Sequence, residues 1–202
     1  MFKNIYFKAT LLSSVLLFIS CDKDDTPEAE NEMEVFTKAV IKVTNLSDNS
    51  SDTYEFEVEE HDHDHDHGFI AMNQEGEDHG DHTEIELESS SEYKFEITFL
   101  NESDPNNVID MTEEVIEEKD EHHVFYELIG DGISYDTTSG DTLDSDGNPL
   151  NLVTKWTTTN ATVVDVEAYL IHIPTSKTGT TRDDFGGATD VEIEFEAHVE
   201  SE

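Results

Sequence analysis

The sequence predicts a mainly β protein, an antiparallel β-sandwich of Ig-like or Greek-key type with one short helix and a disordered His/Asp-rich loop. Three observations carry this. From Glu34 onward, apolar residues recur at every second position, the period of a strand buried on one face. Turn signals such as Asp131-Gly132 and Asp146-Gly147-Asn148-Pro149 cut the pattern into short pieces. A chain of 202 residues has material for one core rather than two, and roughly seven to nine strands in its body is the arithmetic of a sandwich.

Residues 1–20 read as a lipoprotein signal peptide. Lys3 and Lys8 precede the uncharged, mostly apolar stretch Ala9 to Ile19, which is too short to span about 30 Å of hydrocarbon. The run Phe18-Ile19-Ser20-Cys21 resembles a bacterial lipobox, in which cleavage leaves the Cys as a lipidated N-terminus. Cys21 is the single Cys, so it has no internal disulfide partner, and the membrane anchor is its expected use. Residues 21–33 form an acidic tether. Its start, Asp22-Lys23-Asp24-Asp25, resembles the acidic export signal that sends Bacteroidota-type lipoproteins to the outer face of the outer membrane.

Residues 34–200 are the sandwich domain. Strands are expected near Val35 to Thr44, over Tyr54, Phe56 and Val58, over Ile85 and Leu87, and over Tyr93, Phe95, Ile97 and Phe99. Further strands are expected over His123 to Ile129, Leu150 to Thr158, Thr162 to Ile173, and Val191 to Val199. The strands over Tyr54 to Val58, Ile85 and Leu87, Tyr93 to Phe99, and Val191 to Val199 each have an oily face and an acid face. Asp110 to Asp120 breaks the period, and Asp110 and Glu113 stand at capping-box spacing, which predicts a short helix.

Fifty Asp and Glu against ten Lys and Arg give a net charge of −40. With no basic stripe, the chain cannot neutralise a phosphate backbone, so nucleic acid is excluded as a partner. No nucleophile stands in a recognisable catalytic context beside a His and an acid, and no phosphate loop is present, so the chain does not read as an enzyme.

The chemistry is concentrated in an insertion at 60–82. His61, His63, His65 and His67 alternate with Asp62, Asp64 and Asp66, and Asp78, His79, Asp81 and His82 follow. Six of the ten His fall within these 22 residues, with seven Asp or Glu and no Lys or Arg. Imidazole beside carboxylate suits zinc first, with copper and nickel as further candidates. On a flat strand, alternate His lie about 6.6 Å apart, too far to close on one ion whose ligands sit about 2 Å away, so the tract must bind as a pliable loop. Protons then compete with the metal in mildly acid medium.

Weaker candidates lie elsewhere. Asp144, Asp146 and Asn148 look a little like the start of a calcium loop, though without the later Glu of an EF-hand, and a turn is the better reading. His122 and His123 are adjacent and so point to opposite faces of a strand, one of them into the core. His172 reads as core or rim. His198 lies on the Glu face of the last strand, as a solvated side chain or a member of a surface cation site.

Several short motifs in Tyr93 to Val199 look familiar together: Leu100-Asn101-Glu102-Ser103, Thr112-Glu113-Glu114-Val115, Glu121-His122, Gly147-Asn148-Pro149-Leu150, His172-Ile173-Pro174 and Gly186-Gly187-Ala188-Thr189-Asp190-Val191. The set resembles small Bacteroidota outer-membrane lipoproteins often catalogued as type 1 periplasmic binding fold superfamily proteins. That resemblance implies a neighbouring TonB-dependent receptor and an accessory role in uptake. The fold expectation rests on the residues instead, because a short chain of period two does not build two α/β lobes.

The sequence therefore suggests a lipid-anchored, cell-surface protein that binds or buffers zinc through the His/Asp-rich loop, as accessory to such a receptor. The alternative is a structural or adhesive surface lipoprotein whose acid faces bind calcium or a protein partner.

Overall fold

A computed structural model describes residues 34–58 and 83–201. The signal peptide, Cys21, the acidic tether and the whole tract from His61 to His82 lie outside the described residues.

Ten strands form among the described residues: β1 (Lys38–Asn45), β2 (Ser51–Glu57), β3 (Thr83–Glu88), β4 (Glu92–Asn101), β5 (Ile109–Asp110), β6 (His122–Ile129), β7 (Ile133–Thr137), β8 (Val153–Thr158), β9 (Thr162–His172) and β10 (Ala188–Glu200). One sheet runs β2-β1-β4-β8-β7, with β5 beside β4; the other runs β3-β10-β9-β6. The expected sandwich is thus present, with one departure from a purely antiparallel pattern. β3 pairs with β10 in parallel, Ala197 opposite Ile85. The cause is connectivity. β3 enters the second sheet from β2 in the first, so its direction is not set by a hairpin with its neighbour.

Alternation decides which face is buried. Ile41, Phe95, Phe99 and Trp156 of the first sheet and Ile85, Val124, Leu170 and Phe195 of the second face inward and are almost wholly buried. Phe56 and Trp156 reach across to Phe195, with ring centroids 5.7 and 6.5 Å apart. Trp156 stacks on Phe95 at 4.2 Å and donates its indole N–H to Thr154 Oγ1 at 2.9 Å, so its polar edge is satisfied inside the core.

The expected helix is α1 (Thr112–Glu117), shorter than the predicted segment. Its capping box does not form. Met111 is the N-cap and has no side-chain bond; Asp110 accepts the N–H of Thr112 instead, in a local Asx turn. The Thr112 hydroxyl accepts the N–H of Phe99, which fixes the helix against β4. Strand β7 was not anticipated. Only Ile133 of its five residues is buried, so an edge strand of this kind leaves almost no period to read.

Candidate metal centre

Four residues of the sandwich bring metal-ligand atoms to one point: Glu34, His122, His172 and Asp190, all within 4.8 Å of one another. Strand parity places the two His. His122 shares the inward face of β6 with Val124 and Tyr126, and His172 shares the inward face of β9 with Leu170 and Ala168. The register sets them directly opposite each other. Asp190 comes from an irregularity in β10, where pairing with β9 jumps between Thr189 and Val191, and such a bulge re-aims the extra side chain. Glu34 arrives from the segment preceding β1, in the other sheet.

The distances are graded. His122 Nε2 lies 3.2 Å from Glu34 Oε2 and 3.7 Å from Asp190 Oδ2, and His172 Nδ1 lies 3.6 Å from Asp190 Oδ2. The His122 side chain is fully buried, Glu34 is 9% exposed, and His172 and Asp190 are 16% and 18% exposed. Asp190 Oδ2 is buried and has no hydrogen-bond partner.

The outward nitrogen of each ring faces an acceptor of its own. His122 Nδ1 is 3.3 Å from the carbonyl of Glu118, just past the end of α1, and His172 Nε2 is 3.8 Å from Glu121 Oε2. His122 Nε2 is within hydrogen-bond reach of Glu34 Oε2 at 3.2 Å, and a proton on Nδ1, bonded to the Glu118 carbonyl, would leave Nε2 able to turn its lone pair to a cation instead. Burial alone would push His122 down, but Asp190 and Glu34 outweigh it and hold the imidazole above its ordinary value. Burial raises Glu34, against the pull of His122.

The backbone around the cluster is tightly built. Ile173, a β-branched residue, has φ of 49°, and its N–H donates to the carbonyl of Glu121 at 2.6 Å. Gly187 has φ of 70°, and a Cβ there would run into the His172 carbonyl, so only glycine fits.

The other sequence candidates fall as follows. Asp144 and Asn148 do come together, but as a closed turn. Asp144 Oδ1 accepts the backbone N–H of Asp146 and Asn148, and Oδ2 accepts the Asn148 amide and the Lys177 ammonium, each at 3.0 Å. The positive charge at that carboxylate is thus a lysine, and Asp146 is exposed. His123 faces the opposite way from His122, stacked on Phe185, with Nδ1 3.1 Å from the carbonyl of Pro149. Burial and Lys177 bring it down to about 4. His198 Nε2 makes a 2.7 Å contact with Glu196 on the outer face, with Glu84 beside them.

Sequence reasoning did not single out Glu34 or Asp190. His122 and His172 could have been marked by parity, since each continues the inward, apolar positions of its strand. Nothing local marks the two carboxylates. No protein-family model, curated protein or solved structure matches the chain.

Proposed function

We propose that this chain is a lipid-anchored protein of the outer membrane, exposed at the cell surface through Cys21, that captures zinc or a similar transition metal with the tract His61 to His82. As accessory to a TonB-dependent receptor, it would hold the ion for uptake. The observation that carries this is the composition of the tract: six imidazoles and seven carboxylates without one competing cation. The fold gives the tract two attachments: β2 ends at Glu57, opposite Lys38 of β1, and β3 begins at Thr83, opposite Phe195 midway along β10.

Equilibrium dialysis of the mature chain carrying Cys21→Ser against zinc tests the reading. The parent should bind several more ions than a variant in which His61, His63, His65, His67, His79 and His82 are all changed to Asn. Equal stoichiometry in the two proteins would sink it.

A second reading, a structural or adhesive surface module, draws on the acid rows of the outer face, where Glu127, Glu167 and Glu194 stand in register across three strands. Calcium binding that survives loss of the six His, without zinc binding by the tract, would favour it.

A further inference from the structure

We infer that Glu34, His122, His172 and Asp190 form a fixed, closed site for one tetrahedral divalent transition-metal ion of the zinc class, distinct in its ligand set from the His-rich tract. The tract offers many repeated ligands, which suits exchange. The folded site has one ligand from each of four chain segments and one arrangement.

Spacing is the first argument. Ligands about 2.0–2.2 Å from a tetrahedral ion lie about 3.3–3.6 Å from one another. Three of the six separations in the cluster, 3.2, 3.6 and 3.7 Å, fall around that edge length, and all lie within 4.8 Å. His122 and Glu34 are at hydrogen-bond distance, whereas the two contacts of Asp190 are longer than ion pairs that have closed on themselves. Within the same fold, His198 and Glu196 approach to 2.7 Å and Lys177 and Asp144 to 3.0 Å. Had the four groups only to satisfy one another, Asp190 could do as Glu196 does. Instead its buried Oδ2 stands off from both imidazoles without a hydrogen bond, at the position a shared cation would bridge.

Charge is the second. With neutral imidazoles, Glu34 and Asp190 bring two negative charges into a largely buried space, and a divalent ion cancels them. Among the described residues no Lys or Arg ion-pairs with either carboxylate, whereas the buried Asp144 is served by Lys177.

The surroundings are the third. Metal-bound His residues keep their orientation because the nitrogen turned away from the metal bonds to a carbonyl or carboxylate. The Glu118 carbonyl fills that place for His122, and the Glu121 carboxylate lies on that side of His172 at 3.8 Å. The strained φ at Ile173, the close approach at Gly187 and the bulge at Asp190 all lie within a few residues of a ligand, where strain is retained if the surrounding structure needs it. Four protein ligands leave no open position, so the ion is held rather than reactive. It would join the entry to β1 in one sheet to three strands of the other.

The test uses the mature Cys21→Ser chain with all six tract His changed to Asn. Titrated with Co²⁺ as a visible probe and with Zn²⁺, it should bind one equivalent, and bound cobalt should show the intense visible bands of four-coordination. Asp190→Asn and Glu34→Gln, added separately, should each weaken binding at least 10-fold to 100-fold. Glu34 lies at the margin of the domain, so its variant tests the site even if the Asp190 variant does not fold. No stoichiometric binding by the six-His variant, or equal affinity with Glu34→Gln, would overturn the inference. Failure here leaves the tract untouched, and failure of the tract leaves one equivalent still bound.

Discussion

His122 and His172 face each other as register partners across β6 and β9, their rings stacked 4.9 Å apart and 11° from parallel. Two imidazolium ions held this way would set like charges directly opposite each other, which a sheet pair disfavours. A metal ion shared with Glu34 and Asp190 would displace the proton those carboxylates favour on His122 and take up a neutral nitrogen from each ring.

Replacing one ring should therefore separate metal effects from packing effects. In the six-His variant, His172→Asn should change the melting temperature without metal only slightly, because His172 sits at the rim of the site. Zinc at a hundred times its dissociation constant stabilises a protein by about 2.7 kcal/mol, or roughly 5–10 °C for a domain of this size. That zinc-dependent rise should vanish in the variant, as read by thermal melts with and without metal. An undiminished rise would remove His172 from the ligand set.

Trp156 is the joint between the sheets, fully buried against Phe95, Tyr126 and Tyr135. Trp156→Ala should cost about 3–5 kcal/mol, the range for emptying a large aromatic site in a packed core. Urea unfolding followed by circular dichroism measures this, since the variant loses the only Trp. A loss well under the range would mean that the core collapses into the space.

The Asp144 turn should give an acid-sensitive contribution to stability. Burial acts to raise its carboxyl, but the Asn148 amide, Lys177 and the backbone N–H groups outweigh it and hold Asp144 well below the usual carboxylate range. A lowered folded value stabilises above the unfolded value of about 3.9 and is lost as pH falls through the folded value. Asp144→Asn should thus melt several degrees lower than the parent at neutral pH, with a constant gap down to about pH 5 that narrows below about pH 4. A gap that widens on acidification would contradict the ion pair.

Salt should stabilise the domain. Glu127, Glu167 and Glu194 form one acid row across the outer face, and Asp165, Glu196 and Glu84 form another. Like charges directly opposite are destabilising, by about 0.2–1 kcal/mol per pair, and screening shortens from about 30 Å at 0.01 M salt to about 3 Å at 1 M. The urea midpoint should rise with NaCl. Glu194→Thr should raise it at low salt and lose its advantage at 1 M; no salt dependence in either protein would refute the repulsion.

The strands were legible because burial on one face writes a period of two into any six or seven residues, as in Tyr93 to Phe99. β7 and the two residues of β5 were not, since edge segments bury too little to leave a period. The His/Asp tract was legible as composition. The folded cluster was not, because Glu34 and His122 stand 88 positions apart and no local pattern links them.

By itself, the amino-acid sequence determined the two-faced strands, the acid coat and that one of His122 and His123 points inward, because side-chain direction along a strand depends only on parity. Only the tertiary structure decided that the rings of His122 and His172 would meet, that a bulge would turn Asp190 toward them, and that Glu34 would reach across from the other sheet. Register, bulges and sheet packing are settled by contacts between distant segments, and the convergence of four ligand atoms is their product.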